Sequence, residues 1–139
     1  MNYSVMIIDD NEVDRYLLKR YLDKTGLDIL IFEQPDGEDA IDFLQDHRLN
    51  TELYGDQFPP LWLFVDINMP KLDGWGFLDR IAELRTQQYL SSVTAAMFTS
   101  SDRQEDRLRA GQYEFVREYV VKGEIEHAQL HRILTTNQV

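Results

Sequence analysis

The chain has 139 residues, of which 43% are hydrophobic and 28% charged, as expected for one globular domain. Its net charge of −11 argues against a nucleic-acid or membrane partner, because phosphate backbones and anionic headgroups recruit basic faces. The absence of cysteine excludes disulfides and thiolate chemistry, and no apolar run approaches the roughly 18 residues that span a bilayer. Because the N-terminus also lacks a secretion signal, the sequence predicts a cytoplasmic protein.

Short apolar segments alternate with amphipathic ones along the chain. The predicted strands are 5–8, 28–32, 61–65, 93–98 and 119–121. Each is followed by a predicted helix, and these helices include 13–21, 40–44, 77–84, a charged segment from about 103, and 130–134. The polar segment from His47 to Pro60 is predicted to be a long surface loop. Alternating strands and helices predict an α/β fold with a parallel sheet covered on both faces.

The ends of the predicted strands carry polar side chains that could form a site. The run 61–65, LWLFV, is apolar on both faces, which is typical of a buried parallel strand, and it stops at Asp66. Taken alone, Asp66 would most simply cap the next turn. Ligands of parallel sheets, however, bind outside the carboxyl ends of the strands. If strands one, three, four and five are neighbours, five side chains should converge there: Asp9, Asp10, Asp66, Thr99 and Lys122.

This set of residues suits phosphoryl transfer beside a metal ion. Two like charges about 4 Å apart repel by roughly 4 kcal/mol at an effective dielectric of about 20, so three carboxylates need compensating cations. Lys122 supplies one charge, and an all-oxygen set without His or Cys favours Mg²⁺ as the cofactor. A strand-end carboxylate beside a metal can act as the nucleophile, while Lys122 and the Thr99 hydroxyl hold phosphoryl oxygens.

Four motifs together resemble the receiver domain of two-component response regulators. They are IIDD at 7–10, FVDINMPKLDG at 64–74, MFTSSD at 97–102 and EYVVKG at 118–123. The resemblance implies a flavodoxin-like (βα)5 three-layer sandwich with strand order 2-1-3-4-5. Because the similarity spans essentially the whole chain and only TTNQV follows Leu134, we expect one receiver domain over residues 1–139 with no output domain. Output would then pass through protein contacts or onward phosphotransfer.

The resemblance implies specific roles around Asp66, the expected phosphoacceptor. The phosphodonor would be a sensor histidine kinase or a histidine phosphotransfer protein. Asp10, Asp66 and the backbone carbonyl of Asn68 would coordinate Mg²⁺ directly, and Asp9 would act through a metal-bound water. Asn68 would also border the site and influence access of water to the phosphoryl group.

A second group of residues is expected to sense phosphorylation. By the same resemblance, Lys122 would pair with the acyl phosphate, Thr99 would move toward it, and Tyr119 would turn inward as an aromatic switch. Ser100 and Ser101 would modulate the lifetime of the phosphoryl group. The fourth helix, the fifth strand and the fifth helix of the expected fold would then present the altered surface to a downstream protein, with the chain a monomer or a weak homodimer.

One residue departs from the usual family sequence, and other functions compete with the receiver interpretation. Gly123 stands where the family usually has proline, which predicts a trans Lys122–Gly123 peptide. A phosphatase of the haloacid dehalogenase type is disfavoured because Asn68 stands where that family has its acid–base aspartate. A flavin binder is disfavoured because the acidic segment 9–14 would repel phosphate. The expectation is therefore a phosphoacceptor switch and not an enzyme with its own substrate; a degenerate receiver that only docks proteins stays an open alternative.

Overall fold

The computed structural model describes residues 3–136 and contains one five-stranded sheet. Its strands are β1 (Tyr3–Ile8), β2 (Ile29–Gln34), β3 (Trp62–Val65), β4 (Thr94–Thr99) and β5 (Val116–Val121). All pairings are parallel, in the order β2-β1-β3-β4-β5. The predicted sheet and strand order are confirmed, and β5 begins three residues earlier than predicted.

Helices cover both faces of the sheet. They are α1 (Glu12–Asp23), α2 (Gly37–Gln45), α3 (His47–Tyr54), α4 (Gly74–Leu84), α5 (Gln104–Ala110) and α6 (His127–Thr136). The apolar residues of α1 and α6 pack on one face, and those of α2, α4 and α5 pack on the other, which confirms the three-layer sandwich. None of the helices within residues 3–136 is long and apolar enough to cross a membrane.

The prediction of an irregular loop over 47–60 was wrong, because helix α3 occupies its first half. The buried Asn50 side chain donates to the backbone carbonyl of Phe43 at 2.7 Å, which ties α3 to the end of α2. The ring of Tyr54 meets Phe32 edge-on at 4.9 Å between centroids. These contacts with α2 and β2 stabilise α3. The spacing of apolar residues within α3 does not by itself indicate a helix.

The central strand β3 is apolar on both faces because both faces are covered. Its Leu63 and Val65 belong to the core under α2 and α4, whereas Trp62 and Phe64 belong to the core under α1 and α6. Val65 pairs with Ile8 of β1 and with Met97 of β4. The strands β2, β1 and β3 therefore end at one level, β4 and β5 end together two residues further along, and the residues that follow the strands lie along one edge of the sheet.

Candidate functional site

Three carboxylates meet at the carboxyl edge of β1 and β3. One oxygen from each of Asp9, Asp10 and Asp66 lies within 4.8 Å of the others. Asp9 is fully buried, Asp66 is 7% exposed and Asp10 is exposed. The backbone N–H of Asn11 donates to Asp9 Oδ1 at 2.9 Å, and that of Ile67 donates to Asp66 Oδ1 at 2.8 Å. Two of the three carboxylates are thus held rigidly by the backbone beside them.

Lys122, the residue after β5, points its ammonium into this group. Its Nζ lies 2.7 Å from Asp9 Oδ2, 2.7 Å from Asp14 Oδ2 and 3.1 Å from Asp66 Oδ2. Burial lowers the pKa of Lys122, but contacts with Asp14 and Asp9 and the charge of Asp66 outweigh it, so the net pKa is raised. The ammonium therefore stays charged at neutral pH and bridges three carboxylates.

Asp14 is a member of the site that the sequence analysis did not assign. It lies in the first turn of α1, where its backbone N–H donates to the side chain of the N-cap Asn11 at 3.0 Å. Its carboxylate accepts a hydrogen bond from Lys122 at 2.7 Å. A signal was available in the sequence, because the first turn of a helix that follows a strand lies at the same edge as the strand end.

The excess of negative charge makes the group suited to a divalent cation. Asp9, Asp14 and Asp66 contact one ammonium, that of Lys122, and the carboxylate of Asp10 lies beside those of Asp9 and Asp66. Burial raises the pKa of Asp9, and the contact with Lys122 and the N–H of Asn11 oppose it. Asp9 Oδ2 is buried and, despite its ion pair with Lys122, lacks a partner with hydrogen-bond geometry. An unsatisfied carboxylate oxygen among hard oxygen ligands fits Mg²⁺.

The sequence-predicted switch residues lie on β4, β5 and the loop between β4 and α5. Thr99 is fully buried at the end of β4, and its hydroxyl accepts from the backbone N–H of Ser101 at 3.3 Å. Ser100 is exposed. The hydroxyl of the half-buried Tyr119 donates to the carbonyl of Ser101 at 2.9 Å, while the Arg107 guanidinium lies 4.6 Å from its ring centroid. Ser101 thus connects Thr99 with Tyr119.

The segment between β3 and α4 approaches the site closely. Asn68 is exposed, two residues beyond Asp66. The N–H of Gly74 donates to the carbonyl of Ile67 at 2.8 Å, and a Cβ on Gly74 would lie 2.8 Å from Ile67 Cα and would clash with the Asp66 carbonyl. Lys71 has a φ of 66°, in the left-handed region. Glycine at position 74 therefore lets α4 begin directly against the backbone of Asp66.

The remaining strand end, that of β2, serves a supporting role. Glu33 pairs with Arg15 at 3.2 Å and with Lys19 at 2.9 Å. Burial raises the pKa of Glu33, but the bonds and charges of Lys19 and Arg15 outweigh it and the net pKa is lowered. Arg15 also donates to the backbone carbonyl of Asp9 at 2.6 Å. This ion-pair group holds α1 against the end of β1.

The loop that carries Lys122 departs from the usual sequence without displacing the lysine. Within residues 3–136 the cis peptide is Phe58–Pro59, so the Lys122–Gly123 peptide is trans, as predicted. A Cβ on Gly123 would have nothing within 4 Å. Lys122 nevertheless reaches Asp9, Asp14 and Asp66, and its Nζ lies 5.4 Å from the centroid of the Phe98 ring, so these four residues hold its ammonium in place.

Comparison with known proteins is consistent with this geometry. Residues 5–135 match the response regulator receiver domain family. The chain belongs to this family. This receiver domain is 30% identical over 121 residues to the sensor histidine kinase CheAY of Helicobacter pylori, in an alignment that spans 87% of the chain but 13% of the kinase. It is 25% identical to a two component response regulator from Cytophaga hutchinsonii, with a TM-score of 0.77 over 98% of this chain and 96% of that one.

A third comparison shows the fold alone. The receiver domain of sensor histidine kinase PA1611 from Pseudomonas aeruginosa, solved with a magnesium ion coordinated in its active site cleft, is 21% identical. Its TM-score is 0.73 over 98% of this chain and 97% of that one. The predicted flavodoxin-like receiver fold and a place in two-component phosphorelay signalling are therefore confirmed, and the docking-only alternative is not favoured.

Proposed function

We propose that Asp66 accepts a phosphoryl group from a phosphohistidine of a sensor histidine kinase or a histidine phosphotransfer protein. A carboxylate oxygen of Asp66 forms a bond to phosphorus while the P–N bond to the donor imidazole breaks. The electron pair leaves with the imidazole nitrogen, which takes a proton from water. The observation that carries this proposal is the position of Asp66, at a rigid strand end 3.1 Å from the Lys122 ammonium and beside Asp9 and Asp10.

The proposed cofactor is Mg²⁺, held by the acidic group. Asp10, Asp66 and the backbone carbonyl of Asn68 would coordinate it directly, with Asp9 acting through water. When bound, the ion would neutralise charge that builds up on the phosphoryl oxygens. The carboxylate oxygens within 4.8 Å of one another and the buried, unsatisfied Asp9 Oδ2 support this assignment.

Lys122, Thr99 and Tyr119 are proposed to read the state of Asp66. Lys122 would pair with the phosphoryl group, because it already contacts Asp66. Thr99 would donate its hydroxyl to the phosphoryl group, and the bond from Tyr119 to Ser101 would then rearrange, since Ser101 also donates to Thr99. Ser100 and Ser101 border this path and would modulate phosphoryl lifetime. The surface that changes would be formed by α5, β5 and α6.

The protein is proposed to be a switch and not an enzyme with a separate substrate. Hydrolysis of an acyl phosphate by an aspartate-based phosphatase needs a proton-transferring group beside the nucleophile, and Asn68 has an amide that cannot serve. The chain would be a monomer or a weak homodimer, and it would pass its signal to a downstream protein. Nucleic acid and membranes are not proposed as partners, because the net charge of −11 repels both.

The proposed phosphoacceptor is tested by intact mass after incubation with acetyl phosphate and Mg²⁺. The wild type should gain the mass of one phosphoryl group, and Asp66→Asn should gain none. Asp102→Asn is the matched control, since it removes an exposed carboxylate from the same edge of the sheet and should be phosphorylated like the wild type. No gain on the wild type would refute the proposal, and an equal gain on Asp66→Asn would place the acceptor elsewhere.

A further inference from the structure

Asp14 occupies a position that the proposed phosphotransfer does not use. Its Oδ2 lies 2.7 Å from Lys122 Nζ, closer than Asp66 Oδ2 at 3.1 Å. We propose that Asp14 is a positioning residue: it competes with the phosphoryl group for the Lys122 ammonium and thereby limits formation and lifetime of the phosphorylated state. This inference rests on the proposed function of Asp66.

Lys122 needs an external contact to fix its direction. A lysine side chain has a flexible four-carbon stem, and a Cβ on the following Gly123 would have nothing within 4 Å to pack against. The ammonium is held by three carboxylates on other elements and lies 5.4 Å from the centroid of the Phe98 ring. Asp9 and Asp66 follow strands of the sheet, whereas Asp14 belongs to α1, so Asp14 holds Lys122 from the helical side of the site.

The competition arises from the small number of donors on the ammonium. Lys122 has three N–H donors, of which one donates to Asp14 at 2.7 Å and one to Asp66 at 3.1 Å, and Asp9 Oδ2 lies 2.7 Å away as an ion-pair partner. Phosphoryl oxygens on Asp66 would therefore compete with Asp14 for the ammonium. Asp9 is fully buried, whereas the Asp14 side chain is 28% exposed and can turn to water at lower cost. Asp14 is therefore the partner that Lys122 must release when a phosphoryl group with a charge of about −1.5 to −2 arrives.

A role of Asp14 in stabilising α1 can be distinguished from its proposed role in positioning Lys122. An acidic residue in the first turn complements the helix dipole, and α1 has two, Glu12 and Asp14. Glu12 is exposed, and the ion pairs of Lys122 within residues 3–136 involve Asp9, Asp14 and Asp66. Glu12→Gln therefore removes the same charge from the same turn without touching Lys122, which makes it the matched control.

The test measures autophosphorylation by acetyl phosphate with Mg²⁺, and the half-life of the product. Asp14→Asn should raise kcat/KM for the anionic donor and lengthen the half-life, each by about three- to tenfold, the effect of one charge near the phosphoryl group. The increase should shrink at high salt, because the interaction is electrostatic. Glu12→Gln should change neither value by more than about twofold.

A double substitution shows whether Asp14 acts through Lys122. In a Lys122→Met background, Asp14→Asn should change kcat/KM by less than about twofold, because the competed cation is gone. Urea unfolding of each variant confirms that it is folded. The inference would be overturned if Asp14→Asn were phosphorylated at the wild-type rate or more slowly. It would also be overturned if Asp14→Asn raised kcat/KM as much in the Lys122→Met background as in the wild type. A wild type that gains no phosphoryl mass would instead refute the function of Asp66.

Discussion

Gly74→Ala should destabilise the protein strongly, because the start of α4 lies against the backbone of Asp66. The new Cβ would lie 2.8 Å from Ile67 Cα and would clash with the Asp66 carbonyl. Both neighbours are backbone, so α4 must move away, which also weakens the 2.8 Å bond from Gly74 N–H to Ile67. Overpacking of this kind costs about 1–3 kcal/mol, and the weakened hydrogen bond about 1 kcal/mol more.

The expected loss of about 2–4 kcal/mol is measurable by thermal or urea unfolding. At about 4 °C per kcal/mol for a domain of this size, Tm should fall by roughly 8–16 °C. Gly123→Ala is the matched control, since a Cβ there has nothing within 4 Å and its effect should stay within about 1 kcal/mol. If Gly74→Ala unfolds at the wild-type temperature, the close approach of α4 to Asp66 is not a constraint on the native state.

Two further predictions concern the metal and pH. Mg²⁺ should raise Tm, since saturation at about 100 times Kd stabilises a protein by about 2.7 kcal/mol; a full shift retained in Asp10→Asn would contradict the assigned ligand. Burial, with the 2.7 Å bond to Asp79, raises the pKa of Tyr113 to about 12. The folded-state pKa exceeds the unfolded one, so Tyr113 stabilises the fold below about pH 10 and that contribution is lost as pH rises toward 12. In Tyr113→Phe the urea midpoint should fall less between about pH 10 and pH 12 than it does in the wild type. An equal fall in both proteins would refute this prediction.

The sheet could be predicted from the sequence because its strands are short apolar runs between helical segments. Two features were harder. Helix α3 exposes Leu49 and Leu53, so its spacing does not indicate a buried face, and its stabilising contacts are made by Asn50 and Tyr54. Edge strand β5 begins at Val116, within charged residues that suit an edge but do not indicate a strand.

The candidate site was predictable where a residue directly follows a strand. Asp9, Asp66 and Lys122 all do, and the parallel order brings them together without further information. Asp14 belongs to a helix, and it is 108 residues from Lys122 in sequence. Its contact depends on where α1, which packs against α6 and β2, places its first turn relative to the residue after β5, and no local pattern specifies this.

The site therefore combines a rigidly held carboxylate, the proposed acceptor, with an ammonium on a long side chain. Asp66 is fixed by the fully buried strand β3, by the N–H of Ile67 and by the close approach of Gly74. The Lys122 ammonium is held by the carboxylates that surround it, with the centroid of the Phe98 ring 5.4 Å away. A phosphoryl group on Asp66 would alter the charge next to Lys122 strongly, but it would alter the backbone conformation at Asp66 little. The ammonium is attracted to the added negative charge. The first movement after phosphorylation should therefore be that of Lys122 away from Asp14, with Asp66 remaining in place.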